Sequence, residues 1–203
     1  MDFSEFRQVS ALNQRLRRVL WVFRVATTHV DSGGQSSDEF ASHLAGRIGA
    51  IGRAALAPTF VDGVDLELLV LDELRLHAAR PEQFSISGPE VHLAPDAADL
   101  MSLAIHELAT NAVKYGALSQ SRAKIGVTWT VVHRFGRRVL RFEWLEGGVR
   151  IMARAPPTPG FGSELIQRLI ARELKGEGKM TLLADGVSCT IAIPLRAARR
   201  CHE

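Results

Sequence analysis

Seven apolar residues near the N-terminus, Val9, Leu12, Leu16, Val19, Phe23, Ala26 and Val30, recur at alternating spacings of three and four. A seam of that length is satisfied by a helix packed in a coiled coil or bundle, and few other folds accommodate it. With Val9 at heptad position a, Leu12 is d and Gln14 falls at f, on the solvent side. The stretch DSGGQSS (31–37) breaks the helix, and Ser36 with Glu39 three residues on makes a capping box for the next one. That second helix is expected over about 38–56, with Phe40, Leu44, Ile48, Ile51 and Ala55 on one face. Two amphipathic helices joined by a short loop form an αα-hairpin. Two hairpins close a four-helix bundle, so a homodimer is the natural way to bury the seam.

Pro58 marks a boundary, and the pattern beyond it is mixed. A helix is expected over 65–78, then short strands near 84–88 and 91–94, then a helix from Pro95 through Tyr115 ended by Gly116. Strands over 124–133 and 137–146 flank a turn in hairpin fashion. The proline-rich stretch ARAPPTPGFGS (153–163) is irregular, and a helix at 163–175 precedes two last strands at 179–184 and 187–195. The expected class is α+β. A helical hairpin domain (1–57) leads into an α/β sandwich (58–203) with one mixed sheet covered on one face.

Composition is globular, with 46% hydrophobic and 23% charged residues in 203. No apolar run approaches the ~18–20 residues that span a bilayer. The N-terminus MDFSEFRQVS lacks an apolar signal core. Cys189 and Cys201 imply no disulfide framework, so a reducing cytoplasm fits. Residues 60–107 are acidic, while the first helix is basic through Arg7, Arg15, Arg17, Arg18 and Arg24. Such a helix can meet an acidic protein face or nucleic acid, or simply be solvated. Aromatic stacking positions among the arginines are only Trp21 and Phe23, so a nucleic-acid partner is not expected.

Chemistry concentrates in three places. In the helix at 96–115, Glu107, Asn111 and Lys114 stand at i, i+4 and i+7 on one face. A carboxylate and an amide oxygen are hard donors suited to Mg²⁺, and a lysine adds charge for phosphates. The same spacing equally fits a solvated stripe. In PGFGSELIQR (159–168), Gly160 and Gly162 permit close approach, and Ser163 is a suitable N-cap for a helix start that holds phosphate. In WLEGG (144–148) a strand ends in an acid and two glycines, either a turn or an acceptor for an adenine amino group.

Taken in order, HELATNAVKYGALS, WLE, PGFGSELIQRLI and DGVSCTIAIPL closely resemble the ATP-binding domain of HWE-family bacterial histidine kinases. His106 in the N-box and Trp144 and Glu146 in the later motif match the family's letters. The resemblance covers about residues 5–195 and is strongest over 100–195. It implies a Bergerat-type fold with ATP between helices and sheet. By position, Asn111 would bind Mg²⁺ and Glu107 would assist the metal or proton handling. Lys114 would meet phosphate and Glu146 would sit near the adenine, with Tyr115 and Gly148 also among the cofactor-binding residues. Gly160 and Gly162 would shape the lid end around the triphosphate, with Phe161 and Ser163 beside them as cofactor-binding residues. His106 is a family marker that serves equally as a satisfied helix histidine.

The resemblance also makes residues 1–57 a dimerisation and phosphotransfer hairpin, whose family H-box reads His-Arg-hydrophobic-Lys-Asn. Here those positions are Gln14, Arg15, Leu16, Arg17 and Arg18. A neutral imidazole can attack a γ-phosphorus, whereas the lone pair of a glutamine amide nitrogen is delocalised into its carbonyl. Autophosphorylation at Gln14 is therefore not expected. The chain reads as a regulatory or degenerate kinase that binds ATP and Mg²⁺, with a response-regulator receiver domain or a partner histidine kinase on the hairpin. The alternative is an active kinase that uses another histidine, His29 or His43, and passes phosphate to a receiver aspartate. Only about eight residues precede the seam, so input is expected to arrive through another protein.

Overall fold

The computed structural model describes Leu20, Thr27 and residues 37–57, 59–60, 63–134, 136–150 and 160–195. In chain order these form helix α1 (Ser37–Leu56), strands β1 (Thr59–Phe60) and β2 (Gly63–Asp65), and helix α2 (Leu66–His77). Strands β3 (Phe84–Ser87) and β4 (His92–Leu93) follow, then helix α3 (Pro95–Lys114) and strands β5 (Lys124–Arg134) and β6 (Arg137–Gly147). A helical run over 161–174, α4, precedes strands β7 (Glu177–Leu183) and β8 (Gly186–Pro194). The class is α+β, as expected. The N-terminal seam with Gln14, Arg15, Leu16, Arg17 and Arg18, together with His29, Ser36, Cys201 and the proline-rich 153–159, lies outside the described residues.

The main sheet has the order β3-β5-β6-β8-β7, with β3 parallel to β5 and the other pairs antiparallel. Alternation writes its buried face: Ile125, Val127 and Trp129 on β5, Leu140, Phe142 and Trp144 on β6, Cys189, Ile191 and Ile193 on β8. The intervening residues of β5 and β6 are largely exposed, so one face is covered. Burial pushes the Cys189 thiol up to about 12, which makes it an apolar core residue.

A second sheet, β1-β2-β4, was not expected. Strand β4 falls within the strand expected near 91–94, but β1 and β2 are only two and three residues long, too short for a period-2 signal, and Gly63 at φ +129° lies where a side chain would run into the Leu93 backbone. Helix α2 starts at an Asp65 cap, whose carboxylate accepts from the Glu67 backbone N–H at 2.8 Å. Helix α3 opens with Pro95 in its first turn and buries most of its length.

Helix α4 departs from expectation at its start. It begins at Phe161, with Gly160 in the cap position and no side-chain cap, so Ser163 is inside the first turn and is not the N-cap. Phe161 is drawn into the core at 6% exposure, which pulls the helix start toward the glycine. The run then widens into a π-helical turn, Leu165–Leu169, before closing as α-helix at Ile170–Leu174. Lys175, in the left-handed region at φ 56°, ends it. Among the described residues no helix is long and apolar enough to cross a membrane.

Candidate functional site: the shared face of α1, α2 and α3

Helix α3 carries Glu107, Asn111 and Lys114 along one side, as their spacing requires. Glu107 is buried, Asn111 half-buried and Lys114 exposed. Helix α1 lies across the same side. Arg47 Nε donates to Glu107 Oε1 at 2.7 Å and its Nη2 reaches Oε2 at 3.4 Å. The Arg47 guanidinium also sits 3.8 Å from the centre of the Phe161 ring, a cation–π contact. His43, on α1, has Nε2 in hydrogen-bond contact with Lys114 Nζ. Burial, then the neighbouring Lys114 and Arg47, hold the His43 pKa below its ordinary value, which favours a neutral ring that accepts from the ammonium.

The glycine segment reaches this side too. A Cβ on Gly162 would stand 3.1 Å from Glu107 Cβ and 3.5 Å from Asn111 Nδ2, so the start of α4 rests directly on the α3 stripe. Two motifs more than fifty residues apart in sequence are therefore in contact, while Gly160 and Ser163 flank the contact point. The donor set suits a magnesium–phosphate group: hard oxygens from Glu107 and Asn111, an ammonium from Lys114, and a glycine whose missing side chain lets the α4 backbone come close to them.

Glu146 takes a different position. It is 2% exposed, its Oε2 accepts from the Ala117 backbone N–H at 2.7 Å, and its Oε1 accepts from Trp144 Nε1 at 3.2 Å. Gly116 is required there, since a side chain would run into the Glu146 carboxylate. Burial pushes the Glu146 pKa up, against those two hydrogen bonds. The residue thus pins the end of α3 to β6. Gly148, at φ +75°, turns the chain out of β6, and Tyr115, at the end of α3, is 66% exposed.

Sequence reasoning missed the centre of this region, Glu73. Its Oε1 accepts from His106 Nδ1 at 2.7 Å and His77 Nε2 at 2.9 Å, and its Oε2 pairs with Arg53 of α1. Burial alone would raise the Glu73 carboxyl, but hydrogen bonds from His106 and His77, with Arg53, pull it well below the usual carboxylate range. The ligand atoms of Glu73, His77 and His106 lie within 4.8 Å of one another, a spacing a transition metal could bridge. Arg53 already balances the carboxylate, so the cluster is complete as an ion-paired knot. Two signals pointed to it. Glu73 continues the buried stripe of Leu66, Leu69 and Val70, where an acid needs partners, and His77 follows it at i+4. His106 is accordingly a satisfied helix histidine. Helix α1 approaches it through Gly46, where a Cβ would lie 2.7 Å from His106 Nε2.

No protein-family model matches the sequence. Blue-light-activated histidine kinase 1 of Erythrobacter litoralis is 32% identical over 163 residues, covering 77% of this chain and 44% of that protein. The blue-light-activated histidine kinase of Brucella anthropi is 35% identical over 111 residues, covering 55% of this chain and 22% of that protein. The chain thus spans less than half the length of the curated relatives it matches. Among solved structures, a blue-light activated histidine kinase of Erythrobacter litoralis aligns with a TM-score of 0.58 at 17% identity, over 93% of this chain and 59% of that one. Its histidine kinase domain alone aligns with a TM-score of 0.54 at 18% identity, over 93% of this chain and 91% of that one. At such identities the structures speak for the fold. By sequence the chain is related to the blue-light-activated histidine kinases, and by fold it has the architecture of their histidine kinase domain.

Proposed function

We propose that this chain binds a magnesium-chelated adenine nucleotide in a two-component signalling role of the HWE histidine-kinase type. The observation that carries the reading is the contact of Gly162 with Glu107 and Asn111, which sets a glycine-rich helix start against a carboxylate and a carboxamide. Asn111 and Glu107 would hold the metal, and Lys114 and Tyr115 would border the phosphates. Gly160, Phe161, Gly162 and Ser163 would form the wall around the triphosphate. Glu146 and Gly148 would lie at the adenine end. A carboxylate has about four lone-pair sites, so Glu146 retains acceptor capacity for an amino group beside its bonds to Ala117 and Trp144.

Residues 1–57 would dimerise as a four-helix bundle, and residues 58–203 would carry the nucleotide. With Gln14 at the phosphoacceptor position, the hairpin would bind a response-regulator receiver domain or a partner histidine kinase and would accept no phosphate there. A second reading has one specific observation in its favour: His43 Nε2 stands beside Lys114, where burial and the nearby cations hold its pKa below the ordinary value and so favour the neutral ring. In that reading His43 Nε2 takes the γ-phosphoryl group, the bond to the bridging oxygen breaks, and ADP leaves.

The test is calorimetric titration with a non-hydrolysable ATP analogue and Mg²⁺, paired with incubation in γ-labelled ATP. Wild type is expected to bind and stay unlabelled, Asn111→Ala to lose binding, and Gln14→His to gain acid-labile label. Label on the wild type that vanishes in His43→Ala selects the second reading. Absence of binding by the wild type overturns both.

A further inference from the structure

Helix α1 already occupies the groups that the nucleotide reading assigns to metal and phosphate. One guanidinium, that of Arg47, spans both oxygens of Glu107, at 2.7 and 3.4 Å, and both side chains are only 8% exposed. The same guanidinium covers the Phe161 ring at the first residue of α4. One turn back along α1, His43 engages Lys114. Gly46, between them, allows α1 to lie against the His106 imidazole. Three separate contacts from one helix therefore converge on the α3 stripe and the end of the glycine segment.

Charge decides what this arrangement means. A divalent cation at Glu107 needs at least one carboxylate oxygen. A forked arginine supplies positive charge to the same two atoms. Arginine and metal together would place two cations side by side in a poorly solvated site, where repulsion is only weakly screened. Each therefore weakens the other's hold on Glu107.

We propose that the Arg47–Glu107 pair is a charge lock, in which docked α1 holds the metal-binding carboxylate so that magnesium–nucleotide loading and α1 docking oppose each other. The inference rests on the nucleotide reading above. Its consequence follows from linkage: if docking weakens loading by some factor, loading weakens docking by the same factor. Helix α1 is half of the expected hairpin, so the state of the nucleotide site is reported to the surface that would meet a partner.

The experiment uses the full chain, a non-hydrolysable ATP analogue and calorimetry with and without Mg²⁺. Arg47→Met keeps an apolar stem against Phe161 and removes the charge. It is expected to bind the magnesium complex about tenfold more tightly than wild type, a typical coupling. That gain should disappear when Mg²⁺ is chelated. Gly46→Ala leaves every charge in place but pushes a methyl toward His106, and should tighten binding in the same direction. Amide exchange over residues 43–54 of wild type should quicken when magnesium and analogue are added together. Wild-type binding with neither variant tighter, or with α1 exchange unchanged, overturns the lock and leaves the nucleotide site standing. Failure of wild type and both variants to bind overturns the nucleotide reading, and the lock with it.

Discussion

The inner face of the main sheet and the contact surface of α1 are both buried, yet the first is apolar over most of its length while the second adds ion pairs to a few apolar residues. The sheet contributes Ile125, Val127, Leu140, Phe142, Trp144 and Ile191, all at 1% exposure or less. Helix α1 buries Ala50, Ile51 and Ala54, and beside them meets its neighbours through Arg47 on Glu107, Arg53 on Glu73, and a 2.7 Å hydrogen bond from Ser102 Oγ to the Ala50 carbonyl. Apolar burial stabilises at about 25 cal/mol per Å² whatever else is bound. A buried ion pair regains little more than its desolvation cost, and its balance changes when either partner finds another counter-charge. The sheet face is therefore a permanent joint and the α1 face a conditional one.

The sharpest way to break the comparison is to damage the permanent joint. Phe142 is fully buried, and Phe142→Ala removes a ring from the centre of β6. A loss of about 3–5 kcal/mol is expected in urea denaturation. A loss below about 1 kcal/mol would mean that the face collapses around the gap and is softer than its packing indicates.

Glu73 tests the conditional joint, with a smaller effect and a pH signature. Glu73→Gln leaves Arg53 without its counter-charge and weakens both histidine contacts, for an expected loss of about 2–3 kcal/mol at neutral pH. The folded carboxyl is held below its unfolded value, so its contribution is fully present above the unfolded value of about 4.3 and is lost as pH falls through the folded one. The gap between wild type and variant should therefore close progressively below about pH 4. A gap that stays constant with falling pH would show that the glutamate acts through its shape and not its charge.

The two joints were also unequally legible in the sequence. The sheet face announces itself by alternation, as in Ile125-Gly126-Val127 and Leu140-Arg141-Phe142, and α3 by its apolar spacing and its stop at Gly116. The stripe of Glu107, Asn111 and Lys114 was readable because helical periodicity fixes which side chains share a side. What the stripe faces was not readable. The Arg47–Glu107 pair spans sixty residues and the Glu73–His106 bond thirty-three, and no local period encodes either. Ser163 misled for a related reason. Its capping propensity is real, but Phe161 finds a core site two residues earlier, and tertiary burial outweighs a cap worth about 1 kcal/mol.

The smallest expected effect sharpens the comparison most. Arg141 Nε lies 2.7 Å from Glu143 Oε1, the same distance as Arg47 Nε to Glu107 Oε1, but its side chains are 56% and 46% exposed. Water solvates the two charges nearly as well apart as together, so Arg141→Ala should change stability by no more than about 0.5 kcal/mol. Added salt should erase even that, since the Debye length falls to about 3 Å at 1 M. The Arg47 pair, shielded from mobile ions at 8% exposure, should keep its contribution under the same salt. Equal loss from both pairs in urea denaturation would mean that distance governs them. If only the exposed pair responds to salt, burial is what turns an ordinary contact into one that a metal ion must displace.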